Sequence, residues 1–158
     1  MTLGLEATAE FQPFYDPLTG LPRSQLQRAH LIHALKRATR SDTRVAVLFL
    51  DIDNLHDIKE RLGVELGDEV LIVLAARVQA CLRNTDMAAR VRDDELAVIC
   101  GDLRDPADVT MLARRVRDAL AVPVRIGRTI VLARVSVGTA SSDGSGRGST
   151  VLTGLITP

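Results

Sequence analysis

The residues most able to do chemistry are carboxylates in two short clusters. Asp51 and Asp53 close the apolar run Val45-Ala46-Val47-Leu48-Phe49-Leu50, and Asp93, Asp94 and Glu95 follow Arg92 in a polar stretch. An Asp-x-Asp at the end of a strand sets carboxylates at a sheet edge, where open α/β folds commonly hold ligands. Oxygen-rich sites of this kind suit Mg²⁺, which takes a few carboxylates together with phosphate oxygens and water. A hairpin tip bearing Asp93, Asp94 and Glu95 could supply the second half of such a site. Two metals bridging phosphates would stabilise the charge that develops in phosphoryl transfer. The plainer alternative is that Asp51 and Asp53 only terminate a strand and cap the next helix.

The elements that must position these groups follow from patterning. Val45–Leu50 is apolar at every position and rich in β-formers, as expected of a central strand covered on both faces. Ahead of it, Asp16-Pro17-Leu18-Thr19-Gly20-Leu21-Pro22 is turn chemistry. Ser24 with Gln27 predicts a capping box for a helix running to about Arg40. A short helix is expected from about Leu55 to Leu62, stopped by Gly63, and a longer one from near Asp68 with Leu71, Leu74, Val78 and Leu82 along one stripe. Strands are expected over Ala88–Val91 and Leu96–Cys100, joined by Arg92-Asp93-Asp94-Glu95. Asp105 and Pro106 predict an N-cap and first helical position, with Val109, Leu112, Val116 and Leu120 facing inward. Val122–Ile126 and Thr129–Val137 read as a final hairpin. The expected fold is α/β, a mixed and mainly antiparallel central sheet flanked by helices. Residues 1–15 are expected to be a lead-in, 16–140 the folded domain, and 141–158 a flexible Ser/Gly-rich tail.

Composition narrows the function classes. The 158 residues balance 20 Lys+Arg against 20 Asp+Glu, so bulk charge favours neither nucleic acid nor a membrane surface. One tyrosine, three phenylalanines and no tryptophan leave few stacking platforms for nucleic-acid bases, and no nucleic-acid role is expected. Cys81 and Cys100 lack metal-ligand spacing and read as reduced core thiols. The apolar runs are too short to span a bilayer and no secretory signal is visible, so a cytoplasmic protein without membrane insertion is expected.

Five segments in order resemble the GGDEF (diguanylate cyclase) family. Asp16–Arg23 is similar to the opening Asp-x-Leu-Thr-Gly-Leu motif. Leu50-Asp51-Ile52-Asp53-Asn54-Leu55 is similar to the Asp-x-Asp-x-Phe strand end, with Leu55 for phenylalanine. Gly63 and Gly67-Asp68 fall where the family has Gly-His-x-x-Gly-Asp, with Val64 for histidine. Arg90–Leu96 lies where Arg-x-Gly-Gly-Asp-Glu-Phe stands, and Ser136-Val137-Gly138 matches the late Ser-x-Gly strand. The resemblance implies a nucleotide-cyclase-like sandwich and metal binding by Asp51, the Ile52 backbone and Asp94, with Asp94 and Glu95 as catalytic residues. It also implies nucleotide contacts at Asp68, Lys59 and His56, GTP as substrate, Mg²⁺ as cofactor, and a homodimer. Asp-x-Asp is also similar to haloacid-dehalogenase-type phosphotransferases, but these need Thr or Val after the second aspartate, where Asn54 stands.

The departures from the family pattern point toward impaired catalysis. Arg92 and Asp93 replace two glycines that lie against substrate, bringing bulk and charge to a phosphate site. Lys59 replaces a guanine-reading asparagine and offers donors only, and His56 replaces a lysine. A closing helix with phosphate-binding cations is not visible before the Ser/Gly-rich stretch. Upstream of the signature, Arg83-Asn84-Thr85-Asp86 resembles the family's inhibitory Arg-x-x-Asp site for cyclic di-GMP, with Arg90 as a further basic position. Arginine can donate to guanine O6 and N7, and a carboxylate can accept from its N1 and N2 hydrogens. The alternative is that Arg83 only complements a helix dipole. Arg114, Arg115 and Arg117 read as an exposed helix face. The expected function is a catalytically impaired domain that binds cyclic di-GMP; the alternatives are an active cyclase and a ligand-free dimerisation module.

Overall fold

The computed structural model describes residues 14–142. In chain order the elements are α1 (Ser24–Ser41), β1 (Arg44–Ile52), α2 (Leu55–Leu62), α3 (Val64–Cys81), β2 (Met87–Arg92), β3 (Glu95–Leu103), α4 (Pro106–Ala121), β4 (Val124–Ile126), β5 (Thr129–Val131) and β6 (Val135–Ser141). The main sheet runs β2-β3-β1-β6, with β4 and β5 forming a separate two-stranded ribbon. Among the described residues every strand pairing is antiparallel, and the one parallel contact is the Arg23–Arg90 bridge.

Alternation along the central strand explains its unbroken apolar run. Val45 and Val47 join Leu31, Ala34 and Ala38 of α1 in one core, with Ala97 and Ile99 of β3. Ala46, Leu48, Leu50 and Ile52 enter a larger core with Val70, Leu71 and Leu74 of α3 and Val109, Leu112 and Val116 of α4. With a side-chain period of two, a strand covered on both faces must be apolar at successive positions. One helix therefore covers one face, while α3 and α4 cover the other.

Several local expectations are met at their ends. Gly63 stops α2 with φ +95, and the Asp105 side chain caps α4 by accepting from the Ala107 N–H at 2.9 Å. Others are corrected. Ser24 and Gln27 form no capping box: Arg23 is the N-cap and makes no side-chain cap bond. Gln27 is instead fully buried and donates through Nε2 to the Ala97 carbonyl of β3 at 2.8 Å. Helix α3 begins at Val64, a turn earlier than the apolar stripe suggests, and Leu82 lies just past its end while still packing against the core. Thr129–Val137 is not one strand. It divides into β5, paired to β4, and the start of β6, which crosses to the main sheet beside β1.

The packed part reaches beyond residue 140. Ser141 pairs with Ala46 in register, and Ser142 is buried. Its Oγ accepts from the Val45 N–H at 3.0 Å, and its own N–H donates to the Val45 carbonyl. The remainder of the expected lead-in and tail, residues 1–13 and 143–158, lies outside the described residues.

Candidate active site and basic cavity

Strand register assembles the acidic cluster. Arg92 of β2 pairs with Glu95 of β3, Glu95 pairs with Asp51 of β1, and Asp51 pairs with Ser136 of β6. One row of residues therefore crosses all four strands at a single sheet end. The Ile52 N–H donates to the Asp94 carbonyl at 2.9 Å, which draws the β2–β3 hairpin tip onto the end of β1. One carboxylate oxygen from each of Asp51, Asp94 and Glu95 lies within 4.8 Å of the other two. Burial, reinforced by the charges of Asp94, Asp53 and Glu95, holds the Asp51 carboxyl above its ordinary range. Three hard oxygen donors this close fit a divalent cation of the Mg²⁺ class.

The second aspartate of the Asp-x-Asp pair faces elsewhere. Ser136 Oγ donates to Asp53 at 2.7 Å, and the Asp53 N–H donates to the Arg134 carbonyl. Asn54 accepts from the Arg134 N–H at 2.7 Å and donates to the Leu132 carbonyl at 3.0 Å. Asn54 is the N-cap residue of α2 but makes no side-chain cap bond. Asp53 and Asn54 thus pin the segment before β6 to the end of β1, leaving Asp51 to the acidic cluster.

Beside the cluster, Phe49, Asp51, Val91, Arg92, Glu95 and Ala97 line a cavity of about 240 Å³. Arg92 enters it with Nη1 3.4 Å from each Glu95 carboxylate oxygen. Neither Asp93 nor Asp94 has positive φ, so the hairpin backbone makes no demand for glycine there. Arg92 and Asp93 alter the space and charge near the cluster, not the turn that forms it.

A second network holds the hairpin from the opening turn. Asp16 is buried, and its Oδ2 accepts from both the Thr19 N–H and the Thr19 hydroxyl. Arg90 Nη1 donates to both Asp16 carboxylate oxygens, and Arg90 Nη2 donates to the Asp93 carbonyl at 2.8 Å. Burial pushes the Asp16 carboxyl up, but the Thr19 hydrogen bonds and the Arg90 charge outweigh it and leave it below its ordinary range.

The positions expected to read a nucleotide base are engaged with one another. Lys59 Nζ lies 3.2 Å from Asp68 Oδ1, its stem folded across Gly67 so closely that a methyl there would overlap Lys59 Cγ. His56 sits exposed on α2, 3.0 Å from Glu60.

Of the three residues expected to form one regulatory site, Arg83 and Asp86 meet and Arg90 lies apart from them. Arg83 donates from its backbone N–H and Nε to Asp86 Oδ2 and from Nη2 to Asp86 Oδ1. Nη2 also donates to the Gly101 carbonyl. The Asp86 side chain is fully covered, and its carboxylate orients Arg83. Arg90 is committed to Asp16 and lines a different cavity, because β2 carries it to the opposite end of the strand. Arg83 instead opens onto a cavity of about 600 Å³ that Arg114, Arg115, Asp108 and Asp118 of α4 also line. Those two arginines are exposed, as expected of an outer helix face, and the docking of α4 beside β3 sets them along the same cavity as Arg83. Their sequence signal was the run Arg114-Arg115-Val116-Arg117, followed by Asp118.

Comparison with known proteins identifies the family and the fold. Residues 13–153 match the family described as "Diguanylate cyclase, GGDEF domain". The chain is 36% identical over 133 residues to the bifunctional diguanylate cyclase/cyclic di-GMP phosphodiesterase MucR of Pseudomonas aeruginosa, covering 84% of this chain and 19% of MucR. The solved GGDEF domain of TpbB from Pseudomonas aeruginosa superposes with a TM-score of 0.81 at 29% identity, covering 90% of this chain and 85% of that one. A sensory box/GGDEF family protein from Caulobacter crescentus gives a TM-score of 0.82 at 29% identity, with 89% and 91% covered. The chain therefore spans about a fifth of the length of MucR. No helix among the described residues is long and apolar enough to cross a membrane. The register that gathers Asp51, Asp94 and Glu95, the ordered motifs around them and these matches agree, and the chain belongs to the GGDEF family.

Proposed function

We propose that this chain is a catalytically impaired GGDEF domain that binds cyclic di-GMP and acts as a cytoplasmic receptor or regulatory module. The observation that carries this reading is an arginine-rich cavity: Arg83, held in place by Asp86 and the Gly101 carbonyl, lines about 600 Å³ together with Arg114 and Arg115, whose three cations exceed the two carboxylates of Asp108 and Asp118 in the same wall. A cavity of that size suits a nucleotide-sized ligand. Arg83 Nη1 has no hydrogen-bond partner among the described residues and remains available to a guanine edge. Arg114 and Arg115 supply cations for phosphate. Asp86 serves here as the positioning residue for Arg83, and Arg90 is not part of the ligand site.

The acidic cluster favours a second reading, an active cyclase joining two GTP molecules across a homodimer. In it Asp51, the Ile52 backbone and Asp94 would hold Mg²⁺, with Asp94 and Glu95 at the reacting phosphates. The metal would supply charge stabilisation for the displaced phosphate. Against it stand Arg92 in the cavity beside the cluster and the Lys59–Asp68 pair at the base-reading positions.

Titration calorimetry separates the readings. The receptor reading expects micromolar cyclic di-GMP binding, abolished by Arg83→Ala and weakened by Arg114→Ala or Arg115→Ala, with no turnover of GTP and Mg²⁺. Turnover that Asp94→Ala abolishes would establish the cyclase instead. Silence toward both nucleotides overturns both and leaves a dimerisation module.

A further inference from the structure

We infer that Arg92 is a built-in counter-cation of the acidic cluster, competing with any divalent ion for Glu95. Three carboxylates that bring one oxygen each within 4.8 Å of the others repel one another unless a cation sits among them. Among the described residues, the cationic side chain within ion-pair distance of the three is Arg92, at 3.4 Å from Glu95. A shift of register between Arg90 and Arg92 is what sets Arg92 opposite Glu95. The same row then carries Glu95 to Asp51, so the guanidinium and a cluster-bound ion would share one carboxylate. Arg92 also lines the cavity that Asp51 and Glu95 open onto.

The consequence is competitive. A divalent ion drawing on Glu95 must displace the guanidinium or accept it as a close like charge, and either weakens binding. The chain would then hold the donor set for a metal in a form that disfavours loading it. This inference concerns the acidic cluster alone and does not rest on cyclic di-GMP binding.

The test is a titration with Mn²⁺, following the free ion by electron paramagnetic resonance, with no nucleotide present. Arg92→Ala is expected to bind Mn²⁺ on the order of tenfold more tightly than the unaltered chain. In a Glu95→Gln background the same substitution should gain about twofold or less, because the shared carboxylate is gone. Arg92→Gln, which keeps length and hydrogen bonding without the charge, should repeat the gain if the alanine variant is less stable. Equal affinity with and without Arg92, a gain undiminished by Glu95→Gln, or no Mn²⁺ bound by any variant would each overturn the inference. Loss of cyclic di-GMP binding in a separate experiment would leave it standing.

Discussion

Arg90 Nη1 lies 3.1 Å from one Asp16 carboxylate oxygen and 3.2 Å from the other, joining groups 74 residues apart in sequence. Both side chains are largely buried, and Arg90 reaches on to the Asp93 carbonyl beside Asp94. The opening turn is thereby tied to the hairpin that carries half of the acidic cluster. Removing Arg90 leaves a sheltered carboxylate without its cation. Arg90→Ala is expected to lower unfolding free energy by about 2–4 kcal/mol in urea denaturation. Asp16→Asn should cost less, because it removes the charge but keeps an acceptor.

Acid should weaken the same link. Asp16 is held below its ordinary carboxyl range, so the folded state binds its proton less readily than the unfolded chain. Its stabilising contribution is complete above the unfolded value of about 4 and is lost as pH falls through the lower folded value. Unfolding midpoints measured from about pH 5 to pH 2 should fall steeply in the unaltered chain and less steeply in Asp16→Asn.

Asp51 carries the opposite sign. Its carboxyl is held above its ordinary range, so the folded state favours the protonated form and ionised Asp51 opposes folding. Stability tied to this group falls as pH rises from the unfolded value through the raised folded one. Asp51→Asn should therefore raise the Tm at neutral pH, with the advantage shrinking on acidification below about pH 4. Thermal melts at the two pH values check it; a variant less stable at neutral pH would contradict the repulsion assigned to the cluster.

Gly67 sits inside α3, where alanine is ordinarily favoured by about 1 kcal/mol. Here an added methyl overlaps Lys59 Cγ. Gly67→Ala should bring no gain in stability while Lys59 is present, because the lysine must leave Asp68. Gly67→Ala combined with Lys59→Ala should be more stable than Lys59→Ala alone by about the helix-propensity difference. Denaturation of the four forms of this cycle measures the coupling.

Much of the fold was legible in the sequence because local rules were obeyed. The Asp105-Pro106 start of α4, the Gly63 stop of α2 and the two-sided burial of β1 follow from capping, backbone freedom and side-chain period. The misreadings share a cause. Gln27 looked like a capping partner because its spacing from Ser24 was right, but its destination is a β3 carbonyl. Thr129–Val137 looked like one strand because β-propensity does not say which sheet a residue joins.

The sequence by itself determined which chemistries are present: carboxylates at one strand end and one hairpin, an Asp16 turn, and arginines on β2 and α4. Tertiary structure decided which of them meet. Register joined Arg92, Glu95, Asp51 and Ser136 into one row, sent Arg90 to Asp16, and docking of α4 brought Arg114 and Arg115 to the cavity of Arg83. Spacing along a chain constrains only neighbours within an element, whereas contacts between elements depend on strand pairing and helix packing summed over the whole core.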